Sequence, residues 1–105
     1  MASNGAPVFA ISVAARMASM EIQNLRVYER RGLVSPGRTA GGTRLYSAAD
    51  VERLLHIGEL LAEGLNLAGI ARVLELETSL ARLEAANTRL RARTPRSPPR
   101  AEGRR

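Results

Sequence analysis

Two amide side chains and a spaced set of arginines are the residues of this chain best equipped for recognition chemistry. Gln23 and Asn24 stand just ahead of Arg26 and Arg30, and Arg38, Arg44 and Tyr46 follow around a Gly41-Gly42 pair. A carboxamide can pair with adenine N6 and N7, and a guanidinium forks onto a phosphate. This is the chemistry of binding a polyanion. The residues needed for covalent or metal chemistry are missing. The chain has no Cys and one His, which excludes disulfides, thiolate metal sites, iron–sulfur clusters and cysteine nucleophiles. It has no phosphate-binding glycine loop of the usual spacing and no paired carboxylates in a plausible pocket. The expectation is a non-enzyme with no cofactor and no metal site.

Charge is distributed unevenly. The formal charge is +6 over 105 residues, with 16 basic residues, all Arg, and 10 acidic ones. Arg without Lys is what codon bias in a GC-rich genome produces and carries no functional weight. Residues 1–88 balance 9 Arg against 9 acids, so the whole excess lies in residues 89–105. Within the balanced part, residues 16–46 are net +4 and residues 47–88 net −4. The first of these segments therefore reads as the surface that meets a polyanion. No apolar run approaches the roughly 18 residues of a membrane span. Nothing basic precedes the apolar stretch Val8 to Ala15, so a secretory signal is not expected. The chain reads as cytoplasmic.

These side chains need a scaffold, and the punctuation of the sequence supplies one. Residues 1–7 are small and polar and read as a disordered start. Val8 to Ile11 suits a short strand, and Ser12 a cap for a helix over Val13 to Ala18. Ser19 and Met20 break it. A second helix runs from Ile22 to Arg31, with Ile22 and Leu25 inward and Gly32 at its C′ position. Gly41-Gly42 between extended stretches signals a two-residue hairpin turn with positive φ at both glycines. Strand alternation then turns Leu45 to the core and Arg44 and Tyr46 to the outer face. Ser47 and Asp50 form a capping box for a helix to Ala62, whose inward face is Val51, Leu54, Leu55, Ile57, Gly58 and Leu61. Gly64 breaks that helix, and Asn66 caps another short one with Leu67, Ile70, Val73 and Leu74 inward. Met17 and Met20 sit at core spacing. His56 reads as a surface residue, and Arg31 and Arg53 as solvated or paired with Glu29 and Glu52.

From Val73 a heptad seam begins. Val73, Leu76, Leu80, Leu83, Asn87 and Leu90 alternate spacings of three and four, as a and d positions do. Nothing remains in the chain to cover this seam, so a second copy is the natural partner. A lone Asn at an a position fixes register and oligomeric state. A parallel pair would set Arg72 near the partner's Glu77, and an antiparallel pair Glu77 near the partner's Arg91. The domain plan is a start at 1–7, a winged domain at 8–72, a dimerisation helix at 73–93, and an Arg/Pro-rich disordered tail at 94–105. That tail can solubilise the chain or add non-specific attraction to DNA.

The order of elements is short helix, turn, helix, hairpin, two further helices. This is a helix-turn-helix with a wing. Asn24-Leu-Arg-Val-Tyr-Glu-Arg-Arg-Gly-Leu33, Arg38-Thr-Ala-Gly-Gly-Thr-Arg-Leu-Tyr-Ser47 and Asp50-Val-Glu-Arg-Leu54 resemble the DNA-binding domain of MerR-family transcription regulators. The similarity runs from about Phe9 to Leu76. Ile11-Ser-Val-Ala-Ala15, Gly32-Leu-Val-Ser-Pro36 and Gly64-Leu-Asn-Leu-Ala-Gly-Ile70 resemble the heat-shock repressor branch, HspR. The resemblance implies a mostly α fold, a winged helix-turn-helix joined to a C-terminal coiled-coil dimerisation helix. It also implies an antiparallel dimer on an inverted-repeat operator, repression of chaperone genes, a DnaK-type chaperone as co-repressor, and a place at the nucleoid. Phosphate contacts fall by the same resemblance to Arg26, Tyr28, Arg44 and Tyr46. The whole expected DNA-facing set is Gln23, Asn24, Arg26, Tyr28, Arg30, Arg38, Thr43, Arg44 and Tyr46.

Four positions depart from the family pattern. Ser19 stands where Gly is frequent, Glu21 where a capping residue is usual, Asn24 for a common Thr and Val27 for a common Tyr. These bear on which operator is read. Two other functions remain open at this level. A MerR-like domain can serve as a protein-interaction module, a chaperone modulator, and a basic tail suits an architectural DNA-coating role.

Overall fold

The computed structural model describes residues 7–93. The expected disordered tail at 94–105 lies outside them, as does the expected disordered start except for Pro7. The order of elements is β1 (Pro7–Ala10), α1 (Ile11–Ala18), α2 (Ile22–Arg30), β2 (Gly37–Arg38), β3 (Arg44–Ser47), α3 (Ala48–Ala62) and α4 (Leu67–Arg93). The chain divides into two units at Ala71/Arg72.

In the first unit α1 begins directly where β1 ends. Ala10 occupies its N-cap without a side-chain bond. Ser12, expected as the cap, is inside the helix. The strand supplies the extended entry that a capping side chain would otherwise fix. At the other end Ser19 adopts a left-handed conformation, φ 57° and ψ 46°. Its N–H and that of Met20 donate to the carbonyls of Arg16 and Ala15, at 3.2 and 2.9 Å. A non-glycine residue pays for this conformation in steric strain, and the reward is a sharp turn into α2. Glu21 caps α2 through its backbone alone. Gly32, at φ 77°, ends that helix, and Leu33 N–H donates to Tyr28 O at 2.8 Å.

The sheet order is β1-β3-β2, with both pairs antiparallel. The hairpin loop has three residues, not two. Thr39 N–H donates to Thr43 O at 2.8 Å and Gly42 N–H to Thr39 O at 2.9 Å. Of the two loop glycines, only Gly42 has positive φ, 89°. This is the three-residue hairpin in which a single left-handed residue closes the turn. The Thr39 side chain completes it, accepting from Thr43 N–H at 3.1 Å.

The core of this unit gathers Ala14, Ala15 and Ala18 of α1, Leu25 and Tyr28 of α2, Leu33 and Val34, Tyr46 of β3, Val51, Leu54, Ile57 and Leu60 of α3, and Ile70. Small alanines on α1 let α2 and α3 approach it closely. Gly58 serves the same end, since a Cβ there would meet Met20 Cε at 3.2 Å. Several inward assignments change. Ile22, Leu55 and Leu61 are exposed, as is Met17. On α3 the buried row is Val51, Leu54, Ile57 and Leu60, a strict three-residue step. Leu55 and Leu61 lie one position past that row and miss the core.

The capping box of α3 forms as its residues dictate. Asp50 N–H donates to Ser47 Oγ and Ser47 N–H to Asp50 Oδ2, both at 2.9 Å. Arg53 reaches back from α3 and its Nε donates to Leu33 O. It thereby pins the segment after α2, where a solvated side chain or one paired with Glu52 was expected. Asn66 Oδ1 accepts from Gly69 N–H at 2.8 Å, capping α4. That helix does not stop after the first unit. It runs 27 residues, about 40 Å at 1.5 Å per residue.

The second unit is the rest of that helix. Leu76, Leu80, Leu83 and Leu90 are 55–63% exposed, and Asn87 is exposed beside them. Val73 is half-buried and Leu74 buried. An exposed ion pair, Arg72 to Glu75 at 3.2 Å, lies along it and contributes little. No described helix is long and apolar enough to cross a membrane.

Candidate nucleic-acid interface

Helix α2 has one buried side and one polar side. Leu25 and Tyr28 are buried. At about 100° per residue, Gln23, Arg30 and Val27 fall on the opposite arc, with Arg26 on one flank and Asn24 on the other. Gln23, Asn24, Arg26 and Arg30 are all exposed, and Val27 is half-buried. Gln23 and Arg30 therefore project from the outward face, with Val27 between them as an apolar spot of the kind that meets a thymine methyl. Val27 was read only as a departure from family pattern. Its position one turn after Gln23 was the available signal.

Asn24 is set differently. It lines a cleft of about 800 Å³ between α1, α2 and α3, together with Ser19, Tyr28, Leu55 and Glu59. Tyr28 is almost wholly buried at the floor of the same side, and burial raises its phenol above the ordinary range. The two residues thus share one flank of α2, and the outward arc passes between Asn24 and Arg26.

The wing presents the largest correction. Arg44 and Tyr46 do share a face of β3, as alternation requires. That face is turned to α2, not to solvent. Tyr46 is fully buried, and its hydroxyl has neither accessible surface nor a hydrogen-bond partner among the described groups. The phosphate contact expected of Tyr46 is not offered by this geometry. Leu45, expected inside, is only half-buried. Helices α1 and α3 pack against β3, and β1 pairs along its edge, with Phe9 opposite Tyr46 and Ala10 opposite Leu45. The face carrying Tyr46 is thereby closed to solvent at that residue. Burial raises the Tyr46 phenol, and the Glu29 carboxylate adds to it.

Glu29 is the residue that sequence reasoning missed. It projects from the α2 flank between the wing strands. Its Oε2 accepts from Arg38 Nη2 at 2.6 Å, and its Oε1 accepts from Arg44 Nε. Arg38 Nη1 also donates to Gly42 O at 3.0 Å. One carboxylate thus ties both wing arginines to α2. Desolvation raises the Glu29 carboxyl, but the hydrogen bonds and charges of Arg44 and Arg38 outweigh it and hold the group below its ordinary range. Arg44 is correspondingly raised, first by its bond to Glu29. Arg38 and Thr43 lie exposed on the wing, and Arg44 is partly exposed.

This set is a helix-turn-helix with an arginine-bearing wing beside the second helix. A family model described as the MerR HTH family of regulatory proteins matches residues 9–77. The chain belongs to the MerR family. Among its relatives, the Streptomyces coelicolor protein designated heat shock protein HspR is 52% identical over 87 residues, 82% of this chain and 58% of that protein. The GlnR transcriptional regulator of Bacillus anthracis is 46% identical over 69 residues, 66% of this chain and 54% of the relative. The chain thus spans little more than half the length of these relatives. Among solved structures, the lead(II) complex of the regulator PbrR691 from Ralstonia metallidurans superposes with a TM-score of 0.62 at 27% identity, over 81% of this chain and 79% of that one. HiNmlR, a MerR-family regulator lacking the sensor domain and bound to promoter DNA, shares the fold with a TM-score of 0.61 at 24% identity, over 80% of this chain and 70% of that one. In the MerR-type domain described above, α1 and α2 are the helix-turn-helix and β2–β3 the wing. GlnR and HiNmlR are both described as regulators.

Proposed function

We propose that this MerR-family chain is a dimeric, sequence-specific DNA-binding repressor of stress or chaperone genes, acting in the cytoplasm on an inverted-repeat operator. The observation that carries the reading is the outward arc of α2. Gln23 and Arg30 are exposed with half-buried Val27 between them, and exposed Arg26 lies on one flank. An arc of this kind fits the major groove, where Gln23 can pair with a base edge while arginines hold the backbone. The stress-gene assignment is supported by the 52% identity to the HspR protein. The dimer is supported by the exposed leucine row of α4, which needs a covering surface. An antiparallel pair would give the two recognition helices the two-fold relation that an inverted repeat mirrors.

The test is selection of bound fragments from the sheared source genome with the full chain at moderate salt. Enrichment of an inverted repeat upstream of a few operons, chaperone operons among them, is the expected result. Adding a DnaK-type chaperone should then tighten operator binding if it acts as co-repressor. Uniform weak recovery would contradict sequence-specific repression and favour the chaperone-modulator or architectural roles.

A further inference from the structure

Arg38 and Arg44 are direct cross-strand partners in the β2–β3 ladder. Like charges facing each other across a ladder repel. The hairpin that carries them is slight, since β2 has two residues, and a small hairpin has little stability of its own. A wing of this build needs something to hold it and something to offset its charge. Glu29 meets both needs from another element. Each of its carboxylate oxygens takes a different guanidinium, Oε2 that of Arg38 and Oε1 that of Arg44. The Glu29 side chain is 18% exposed, against 46% for Arg38, so the anion sits beneath the cations it binds. Arg44 engages through Nε, which leaves its terminal amino groups outside that bond.

We propose that Glu29 is a positioning residue for DNA binding: it fixes the wing to the recognition helix and cancels one of the wing's two charges. The inference rests on the DNA-binding reading above. Three groups, two cations and one anion, leave the wing with one net positive charge. Attraction to any phosphate backbone is thereby reduced, while Arg44 keeps a defined place beside α2. Glu29 so favours discrimination over indiscriminate backbone affinity. A role in packing alone would have neither electrostatic consequence.

The experiment compares the full chain with E29Q and E29D. Binding to a selected operator fragment and to a scrambled duplex of equal length is followed across a salt series. Each backbone contact neutralised contributes about 0.9 to the log–log salt slope. E29Q keeps the shape and removes the charge. It is expected to bind the scrambled duplex more tightly at low salt, with a slope steeper by about one, and to lose operator preference because the wing is no longer held to α2. E29D keeps the charge and is one methylene short of spanning both arginines. It is expected to retain the wild-type slope and lose preference. Unchanged slope, scrambled-duplex affinity and preference in E29Q would overturn the proposal. If E29Q is unfolded by circular dichroism, E29D decides, and an undiminished operator preference there would overturn it. Failure of the wild type to prefer any duplex would instead count against the DNA-binding reading itself.

Discussion

At the scale of single residues, the informative positions are those where a side chain does something its type does not advertise. Ser19 holds a left-handed backbone that favours glycine. S19G should therefore raise stability by about 1 kcal/mol, the steric relief less the added unfolded-state entropy. Chemical denaturation checks this, and a loss of stability would mean that the hydroxyl matters more than the backbone. Glu29 predicts a pH dependence. Its folded carboxyl titrates below the ordinary 4.5, so the unfolded state takes up its proton first as pH falls. The stability it contributes is fully present above pH 4.5 and is lost as the pH falls through its folded value. Urea midpoints followed down through the carboxylate range should fall less steeply in E29Q than in the wild type. Glu29 was hard to read in the sequence because its partners lie 9 and 15 residues away. The one available signal was its being one of only two acids, with Glu21, in the basic segment 16–46.

At the scale of elements, legibility follows how local the determining physics is. The Ser47–Asp50 capping box, the Asn66 cap and the Gly32 and Gly64 breaks rest on interactions within a few residues, and all appear where those residues stand. The burial of Tyr46 depends on α1, which is distant in sequence, and on α3, both of which pack against β3. Alternation identifies which residues share a face but not which face is covered. The same gap misplaced Leu55 and Leu61, because a helix with apolar residues on a broad arc leaves the exact buried row to its neighbours. The hairpin loop yields a direct test. Only Gly42 needs the left-handed conformation, while a Cβ at Gly41 would meet nothing closer than Thr39 Oγ1 at 3.8 Å. G42A should cost about 1–2 kcal/mol and G41A much less in thermal or chemical unfolding. Equal costs would contradict the three-residue turn.

At the scale of the whole molecule, the first unit carries the exposed polar arc of α2 and the second an exposed leucine row. The leucine row from Leu76 to Leu90 would be a liability in a monomer. Replacing Leu80 and Leu83 together by Glu should convert a dimer to a monomer in sedimentation and weaken binding to a two-half-site fragment by several orders of magnitude, as loss of one linked site implies. A monomeric wild type would remove the basis for the inverted repeat. On the proposed function, the outward arc of α2 reads bases and Asn24, on the cleft flank, takes the lesser part. The measurement that tests it most directly is a base-preference selection run side by side with wild type, Q23A and N24A. Q23A is expected to lose preference at one position in each half-site, at a cost of about 1–3 kcal/mol, with the smaller change in N24A. An unchanged site for Q23A, with N24A alone altering the selected bases, would contradict it and put the reading edge of α2 on the side of the cleft.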